Sequence, residues 1–431
     1  MSMDNKVPEI RFKGFSVAWD KKILGDLVKL ENGFAFQSKY FKNKPTKVIV
    51  LTPGSVNIGG GFKAGKGQYY DEKQEVPSKY VFKPGEMFIT MTDLTPTAQA
   101  LGFPAIIPKD ENTYLHNQRL GKLVEFQGDL AFLYNLLRTT IKQKEVVLAS
   151  SGTTVKHTSP DKFLNRICFF PKKEEQTTIG NYFQKLDMLI NQHQQKHDKL
   201  NNIKKAMLEK MFPKPGETIP EIRFKGFSGA WEEKSFGVCF VNVPNNTLSR
   251  ADLNYKAGLA KNIHYGDVLI KFGEILDAGN ELLPFITNDD VVNKLNSAAL
   301  RDGDIIIADA AEDSTVGKCT ELFNVDEQLI FSGLHTIAVR PILSFASKYL
   351  GYYINSSSYH DQLVSLMQGT KVLSISKTAI QNTNVKFPKD FKEQAAIGNY
   401  FQKLDTLINQ HQQQITKLNN IKQACLSKMF V

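Results

Sequence analysis

Residues 60–67 (GGFKAGKG) have nearly the spacing of a loop that cradles a phosphate group. Gly60, Gly65 and Lys66 stand where such a loop needs them, because its glycines bring backbone N–H groups close to the phosphates and its lysine reaches them. The last position is Gly67, although magnesium binding requires Ser or Thr there, and no strongly helical segment follows. We therefore interpret the stretch as a flexible basic loop without nucleotide chemistry.

No other residues indicate a catalytic centre. A DNA adenine methyltransferase would need a glycine-rich cofactor loop and an Asn-Pro-Pro or Asp-Pro-Pro segment to hold the flipped base, and the sequence has neither. Asp289-Asp290 and 302–304 (DGD) could belong to a nuclease, but acidic turns beside strands are a better explanation. We predict no catalytic residue, no metal site and no cofactor in this chain.

Composition indicates a polyanionic partner for the first half only. The net charge is +10, of which residues 1–178 carry +8, whereas residues 213–396 carry −4. No run approaches the ~20 apolar residues that span a bilayer, so we expect a cytoplasmic protein without membrane contact. The four cysteines are 71, 80 and 106 residues apart, which fits neither a metal motif nor a disulfide framework.

An internal duplication determines the architecture. Residues 8–19 (PEIRFKGFSVAW) and 220–231 (PEIRFKGFSGAW) are identical at 11 of 12 positions, and residues 179–212 match 397–430 at 27 of 34. We call 8–19 and 220–231 the frame segments. The stretches between the repeats, 20–174 and 232–392, share only scattered identities. Uniform sequence drift after a duplication would not preserve the repeated segments while removing the similarity between the two intervening stretches.

Each long repeat predicts one helix whose apolar residues alternate by four and three, as in a coiled-coil seam. The first seam is Ile179, Phe183, Leu186 and Ile190, followed by His193 and His197. Two equivalent helices in one chain most economically pair with each other. His193 and His411 share a seam position where a polar residue can fix the register, and a metal site there is disfavoured.

The predicted fold class is therefore two mixed α/β domains plus two long helices in an antiparallel coiled coil, with a pseudo-twofold repeat. Strands are indicated at 48–51, 87–90, 268–270 and 305–308, and single helices at 130–141 and 345–354. The predicted segments are a domain at 1–174, a helix at 175–212, a linker at 213–219, a domain at 220–392 and a helix at 393–431.

The frame segments, the Glu-Gln-x-x-Ile-Gly-x-Tyr-Phe opening of each long helix and the two-copy layout resemble the specificity subunit of type I restriction-modification systems. The resemblance covers essentially the whole chain. It implies two target-recognition domains, each reading one half of a split double-stranded DNA site, with the helices as a spacer. It also implies two methyltransferase subunits that bring S-adenosylmethionine, and restriction subunits that use ATP and magnesium.

Matches to family loops, together with the chemistry of base edges and phosphates, select the candidate DNA contacts. Amide and guanidinium groups suit bases, whereas Lys, Thr, Ser and backbone N–H groups suit phosphates. In the first domain the candidates are Gln37, Gln99, Asn117, Gln118 and Arg119 for bases, and Lys63, Lys66, Thr153, Thr154 and Lys156 for phosphates. In the second they are Ser314, Thr315, Lys318, His335, Thr370 and Lys371.

Two other classes stay open at this point. One is an enzyme that binds DNA itself, which the missing motifs disfavour. The other is a coiled-coil DNA-binding or scaffold protein outside restriction-modification. The sequence does not give the DNA target, because readout depends on side-chain geometry and DNA shape as well as residue type.

Overall fold

The computed structural model describes residues 7–95, 97–295 and 298–431, so the first six residues of the predicted domain at 1–174 lie outside it. The chain divides into two units. Unit 1 contains residues up to His193 and Gln413–Val431, and unit 2 is Gln194–Gln412. Each unit thus combines one α/β domain with pieces of both long helices.

Unit 1 is built on a four-stranded antiparallel sheet, in the order β2-β9-β5-β7, and a three-stranded sheet, β4-β3-β8. Two-stranded ladders join β1 to β11 and β6 to β10. The strands are β1 (Asp20–Ile23), β2 (Lys29–Asn32), β3 (Val48–Val50), β4 (Gln68–Tyr69), β5 (Met87–Thr90), β6 (Thr92–Asp93), β7 (Pro104–Ile106), β8 (Thr113–Leu115), β9 (Leu120–Val124), β10 (Lys156–His157) and β11 (Ile167–Phe170). The helices are α1 (Leu130–Leu137), α2 (Thr140–Leu148), α3 (Pro160–Leu164) and α4 (Lys173–Lys210), which begins in this unit.

Unit 2 has a five-stranded sheet, β13-β22-β18-β20-β16, a four-stranded sheet, β14-β17-β15-β21, and ladders β12-β24 and β19-β23. Its strands are β12 (Glu232–Ser235), β13 (Phe240–Val243), β14 (Leu253–Asn254), β15 (Lys261–Ile263), β16 (Ile275–Asp277), β17 (Phe285–Ile286), β18 (Ile305–Ala308), β19 (Ala310–Ala311), β20 (Cys319–Phe323), β21 (Ile330–Ser332), β22 (Thr336–Pro341), β23 (Leu373–Ser374) and β24 (Asn384–Phe387). Its helices are α5 (Phe236–Cys239), α6 (Tyr265–Ile270), α7 (Asp289–Leu295), α8 (Tyr349–Asn355), α9 (Ser357–Val364), α10 (Lys377–Gln381) and α11 (Phe391–Lys428).

Central strands β5 and β18 are buried at every position, and both confirm strands predicted from apolar runs. The strand predicted at 268–270 is wrong, because this run lies in α6. There the His264 side chain caps the helix by accepting a hydrogen bond from the Gly266 N–H. A three-residue apolar run has no periodicity that could distinguish the two structures.

The single helix predicted at 130–141 is also wrong, because the chain forms α1 and α2 with a break between them. Thr139 causes the break: its backbone is extended, its hydroxyl donates to the Leu136 carbonyl, and it caps α2 by accepting from Lys142 N–H. The helix predicted at 345–354 begins only at Tyr349, because Lys348 has φ +74°.

An arginine in each frame segment is clamped to a glutamate in the first turns of a long helix. Arg11 Nε and Nη2 donate to the two Glu175 oxygens at 2.7 and 2.6 Å. Arg223 Nε and Nη2 donate to Glu393 at 2.7 and 2.7 Å. Both carboxylates are buried, and bidentate pairing is the strong form of this contact. The Arg and Glu of the two repeated motifs therefore hold each domain to its helix.

The glutamine after each of these glutamates joins the long helix to the residues that precede a domain helix, α1 in unit 1 and α8 in unit 2. Gln176 Oε1 accepts the Asp129 N–H at 3.0 Å, next to the start of α1, and its amide donates to a nearby proline carbonyl. Gln394 repeats this with the Ala346 N–H at 2.9 Å. A Cβ at Gly180 would lie 2.4 Å from Asp129 Oδ1, so glycine permits this close approach.

Within each unit the two long helices pack antiparallel, as predicted. In unit 1, the ring of Phe183 in α4 lies 5.8 Å from that of Phe430, which follows α11. Asp187 lies one turn later in α4 and pairs with Lys422, which lies earlier in the chain than Phe430, so the two helices run in opposite directions. In unit 2, Phe212 stacks on Phe401 at 5.9 Å. Ile179, Phe183 and Leu186 of the predicted seam are buried.

The end of each long helix meets a frame segment in the same way. Ile10 N–H donates to the Lys428 carbonyl at 2.9 Å in unit 1, and Ile222 N–H donates to the Lys210 carbonyl at 2.9 Å in unit 2. Trp19 packs on Phe430 and Trp231 on Phe212, with centroids 6.4 and 6.2 Å apart. The first frame segment therefore lies beside the end of α11, as the second lies beside the end of α4.

Candidate DNA-recognition sites

In unit 1, the short ladder between β6 and β10 is the point where the candidate loops meet. Lys156 pairs with Asp93 and His157 with Thr92. Just before β6, Met91 N–H donates to the Arg119 carbonyl at 2.9 Å, and the Met91 carbonyl accepts from Thr158 N–H at 3.0 Å. We call this ladder with residues 94, 95 and 97–100 and the loops 117–119 and 151–155 site 1.

Asp93 fixes the loop that carries Gln99. It is buried, its Oδ1 accepts from the Thr95 N–H at 2.7 Å, and its Oδ2 accepts from the Ala100 N–H at 2.6 Å. Gln99 itself is exposed. Asp93 therefore positions the loop, a role that sequence reasoning missed because an isolated Asp beside a strand has no motif.

Unit 2 repeats this arrangement with different side chains. Asp309 N–H donates to the His335 carbonyl at 3.1 Å, and the Asp309 carbonyl accepts from Ile375 N–H at 2.9 Å. Ala310 pairs with Ser374, and Ala311 with Leu373. These bonds make His335 the equivalent of Arg119 and Asp309 the equivalent of Met91. We call the β19-β23 ladder with loops 312–316, 333–335 and 368–372 site 2.

The loops beginning at Gly152 and Gly369 have the same backbone path. Their φ values are +94° and +113°, and an added Cβ would lie 2.0 Å from the Val155 oxygen and 2.1 Å from the Val372 oxygen. Ser151 and His157 exchange two backbone hydrogen bonds, as do Gln368 and Ser374. Each loop closes this tightly only because glycine begins it.

We expect Gly369→Ala to open the 368–372 loop, because the strained φ and the clash with a backbone oxygen cannot both be relieved in place. Hydrogen exchange of the Gln368 and Ser374 amides should accelerate by about 10-fold or more, since their paired bonds break. Gly303→Ala is the matched control, because Gly303 has φ +84° but open space around its Cβ position. If both variants leave these two amides equally protected, the close approach does not maintain the loop.

Other unit 1 candidates lie beside site 1. Phe34 N–H donates to the His116 carbonyl at 2.8 Å, and the Phe34 carbonyl accepts from the Gln118 N–H at 3.1 Å. The 32–38 loop, with exposed Gln37, therefore runs along the Asn117–Gln118 backbone. Asn117 is half-buried and its Oδ1 accepts from the Arg119 N–H at 2.9 Å.

Lys63 and Lys66 lie on a separate loop. Lys63 N–H donates to the Ser55 carbonyl at 2.8 Å, and the Ser55 hydroxyl donates to the Lys66 carbonyl at 3.0 Å. Both lysines are exposed. Strand β4 follows this loop directly, where a phosphate loop would need a helix. Among the described residues, no hydrogen bond joins this loop to site 1.

In unit 2, four candidates are exposed on the loops of site 2: Ser314, Thr315, Thr370 and Lys371. Lys318 is placed differently. Its ammonium donates to the Leu269 and Phe272 carbonyls at 2.9 and 3.0 Å, and burial lowers its pKa. It therefore stabilises the end of α6, and its donors are already used within the domain.

The electrostatics of the two sites differ. Site 1 presents Arg119 and Lys156, and among the described residues Arg119 has no ion-pair partner. Site 2 presents the His335 imidazole with its Nδ1 3.3 Å from Asp309 Oδ1. Exposed Glu312 and Asp313 lie on its first loop. Sequence reasoning missed Asp309, although its place directly after a buried strand was a usable signal.

Residues 16–202 and 259–420 match the sequence model of the type I restriction modification DNA specificity domain. The chain belongs to this family. A relative, the specificity subunit of the type I restriction enzyme MjaVIII from Methanocaldococcus jannaschii, is 24% identical over 326 residues, which cover 71% of this chain and 70% of that protein.

Two solved structures share the fold. The S subunit of a type I restriction-modification system from M. genitalium superposes with a TM-score of 0.57 at 14% identity, covering 99% of both chains. A chain from a study of complex assembly and conformational transition of the type I R-M system gives 0.51 at 17% identity, covering 95% of this chain and 96% of that one. The resemblance seen in the sequence is confirmed, and the chain is a DNA-recognition subunit, which in this family is non-catalytic.

Two kinds of feature are absent from the described residues. No cluster of three or more His, Cys, Asp or Glu side chains there has a geometry that could hold a metal ion. Across the same residues, no helix combines the length and the apolar character needed to cross a membrane.

Proposed function

We propose that the chain reads a split double-stranded DNA target, with site 1 reading one half and site 2 the other. The observation that carries this is the recurrence of one backbone arrangement with different side chains. Both units form the same two backbone hydrogen bonds after the central strand, the same short ladder and the same closed glycine loop. The side chains differ, because Asp309 and His335 take the places of Met91 and Arg119. A constant scaffold with variable chemistry is what two independent readers require.

In site 1, the guanidinium and amide groups of Arg119, Gln99, Gln118, Asn117 and Gln37 read base edges. Lys156, Thr153 and Thr154 contact phosphates, and Lys63 and Lys66 extend the basic surface along the DNA backbone. In site 2, His335, Ser314 and Thr315 face bases, while Thr370 and Lys371 contact phosphates. Lys318 is left out, because backbone carbonyls already occupy its ammonium.

The chemistry of modification and cleavage then belongs to partner subunits. Two methyltransferase subunits, one for each half-site, supply S-adenosylmethionine, and restriction subunits supply ATP- and magnesium-dependent cleavage. The neighbour from a study of complex assembly in a type I system supports such an arrangement. This chain selects the DNA sequence and needs no cofactor of its own.

Exchanging residues 20–174 for the corresponding stretch of another family member tests the proposal. We expect the methylated motif of the intact complex, mapped across a host genome, to change in one half and keep the other. The exchange retains both clamps, because Arg11 and Glu175 lie outside the exchanged residues. An exchange of 232–392 is the matched control and should change the opposite half. If either exchange alters both halves, the sites do not read independently.

A further inference from the structure

Site 2 carries a carboxylate where site 1 has an apolar side chain. Asp309 is half-buried, whereas its equivalent Met91 is buried. Placing a carboxylate in a half-buried position is costly unless it is paired. Burial raises the pKa of the Asp309 carboxyl above its ordinary value, an effect that His335 and Lys377 oppose.

The backbone of Asp309 is held by two hydrogen bonds, and its side chain is paired with His335. Its N–H donates to the His335 carbonyl at 3.1 Å, and its carbonyl accepts from Ile375 N–H at 2.9 Å. His335 Nδ1 lies 3.3 Å from Oδ1, and the described hydrogen bonds leave Oδ2 without a donor. The imidazole is in turn packed against the Tyr265 ring, 5.3 Å between centroids. Among the described hydrogen bonds, Oδ2 is therefore available as an acceptor; the nearby Lys377 ammonium donates to Asn245 Oδ1 at 2.8 Å.

We propose that Asp309 reads a base in the half-site of site 2 by accepting a hydrogen bond from an exocyclic amino group, the N4 of cytosine or the N6 of adenine. The inference rests on the proposed function of site 2. A fixed carboxylate repels phosphates, guanine O6 and N7, and thymine O4, which are all acceptors. Amino groups are the hydrogen-bond donors that bases present in the major groove.

His335 acts as the positioning residue in this pair. It occupies the place of Arg119 and holds the Asp309 side chain through Oδ1. Site 1 has no carboxylate at the equivalent position, and Arg119 can donate to guanine instead. At corresponding positions of their half-sites, site 1 should therefore recognise a hydrogen-bond acceptor on a base and site 2 a hydrogen-bond donor.

Asp309→Asn tests the proposal in the intact complex with the methyltransferase subunits. The amide has nearly the shape of the carboxylate but can rotate to present either a donor or an acceptor. Binding is measured on duplexes in which one base pair of the half-site is inverted at a time, because inversion moves the amino group to the other strand. At one position of that half-site, the wild-type protein should discriminate about 5- to 100-fold, and the variant should lose this discrimination.

Asp361→Asn, at an exposed position of α9, is the matched control and should keep the wild-type preference at every position. A uniform loss of affinity in Asp309→Asn, with every preference retained, would show that Asp309 only orients His335 and would overturn the proposal. Unchanged binding would also overturn it. The proposed function fails separately, if the wild-type complex methylates no bipartite target.

Discussion

Replacing Lys204 with Met should lower the free energy of unfolding of unit 2 by about 2 to 4 kcal/mol. Its ammonium lies 2.8 Å from Glu274 Oε2 and 2.6 Å from Asp405 Oδ1. Burial alone would lower the pKa of Lys204, but the two carboxylates outweigh it and raise that pKa. Without the lysine, two half-buried carboxylates face each other with no cation between them.

Lys422→Met is the matched variant in unit 1, since Lys422 and Asp187 repeat the pair of Lys204 and Asp405. There the carboxylate keeps the Arg138 guanidinium at 4.0 Å, so the loss should be about half as large. Urea denaturation checks both. Trp231 fluorescence reports unit 2 and Trp19 reports unit 1, each with the other tryptophan replaced by Phe. Equal losses would show that neither the second carboxylate, Glu274, nor the second cation, Arg138, changes the cost of losing the lysine.

The loss in Lys204→Met should also depend on pH. Burial raises the pKa of the Asp405 carboxyl, an effect that Lys204 opposes, so removing the lysine raises that pKa further. A carboxyl with a raised pKa in the folded state destabilises the fold above that pKa and stops doing so as the pH falls through it. The difference from wild type should therefore shrink as the pH falls from the raised pKa of Asp405 toward the ordinary pKa of an aspartate. A difference that grows on acidification would contradict this.

Arg223→Met should cost unit 2 about 3 to 5 kcal/mol, because it leaves the Glu393 carboxylate, 1% exposed, without a cation. Trp231, in the same frame segment, reports the unfolding transition. Combining the change with Glu393→Leu should restore much of the loss, since no buried charge then remains. Lys210→Met, which breaks the exposed pair with Glu221, should leave stability nearly unchanged. A double variant as unstable as the single one would attribute the loss to packing.

The duplication made the gross architecture predictable, since identical segments must form identical structures. It located the long helices, whereas the central strands at 87–90 and 305–308 were predicted from apolar runs within the stretches that differ between the repeats. Local structure failed where one polar side chain decides the outcome. The Thr139 hydroxyl divides one predicted helix into two, and the His264 cap turns a predicted strand into a helix.

The residues of the two sites were harder to predict, because strands and loops that are far apart in the sequence come together to form each site. Arg119 and His335 were both chosen from loops, but their equivalence follows only from the carbonyl each offers to the end of a central strand. The residue offset between the two repeats varies along the chain, so the sequence alone does not show that Arg119 and His335 are equivalent. Lys318 has the right chemistry for a phosphate, yet its side chain folds back onto α6.

The paired clamps of Arg11 with Glu175 and Arg223 with Glu393 have a genetic consequence. Because both copies make the same contacts, a gene rearrangement that joins a new intervening stretch to a frame segment keeps the contacts that hold that segment to a helix. One such exchange can therefore give the subunit a new DNA target, while the Arg–Glu clamps that hold each frame segment to its helix are inherited intact.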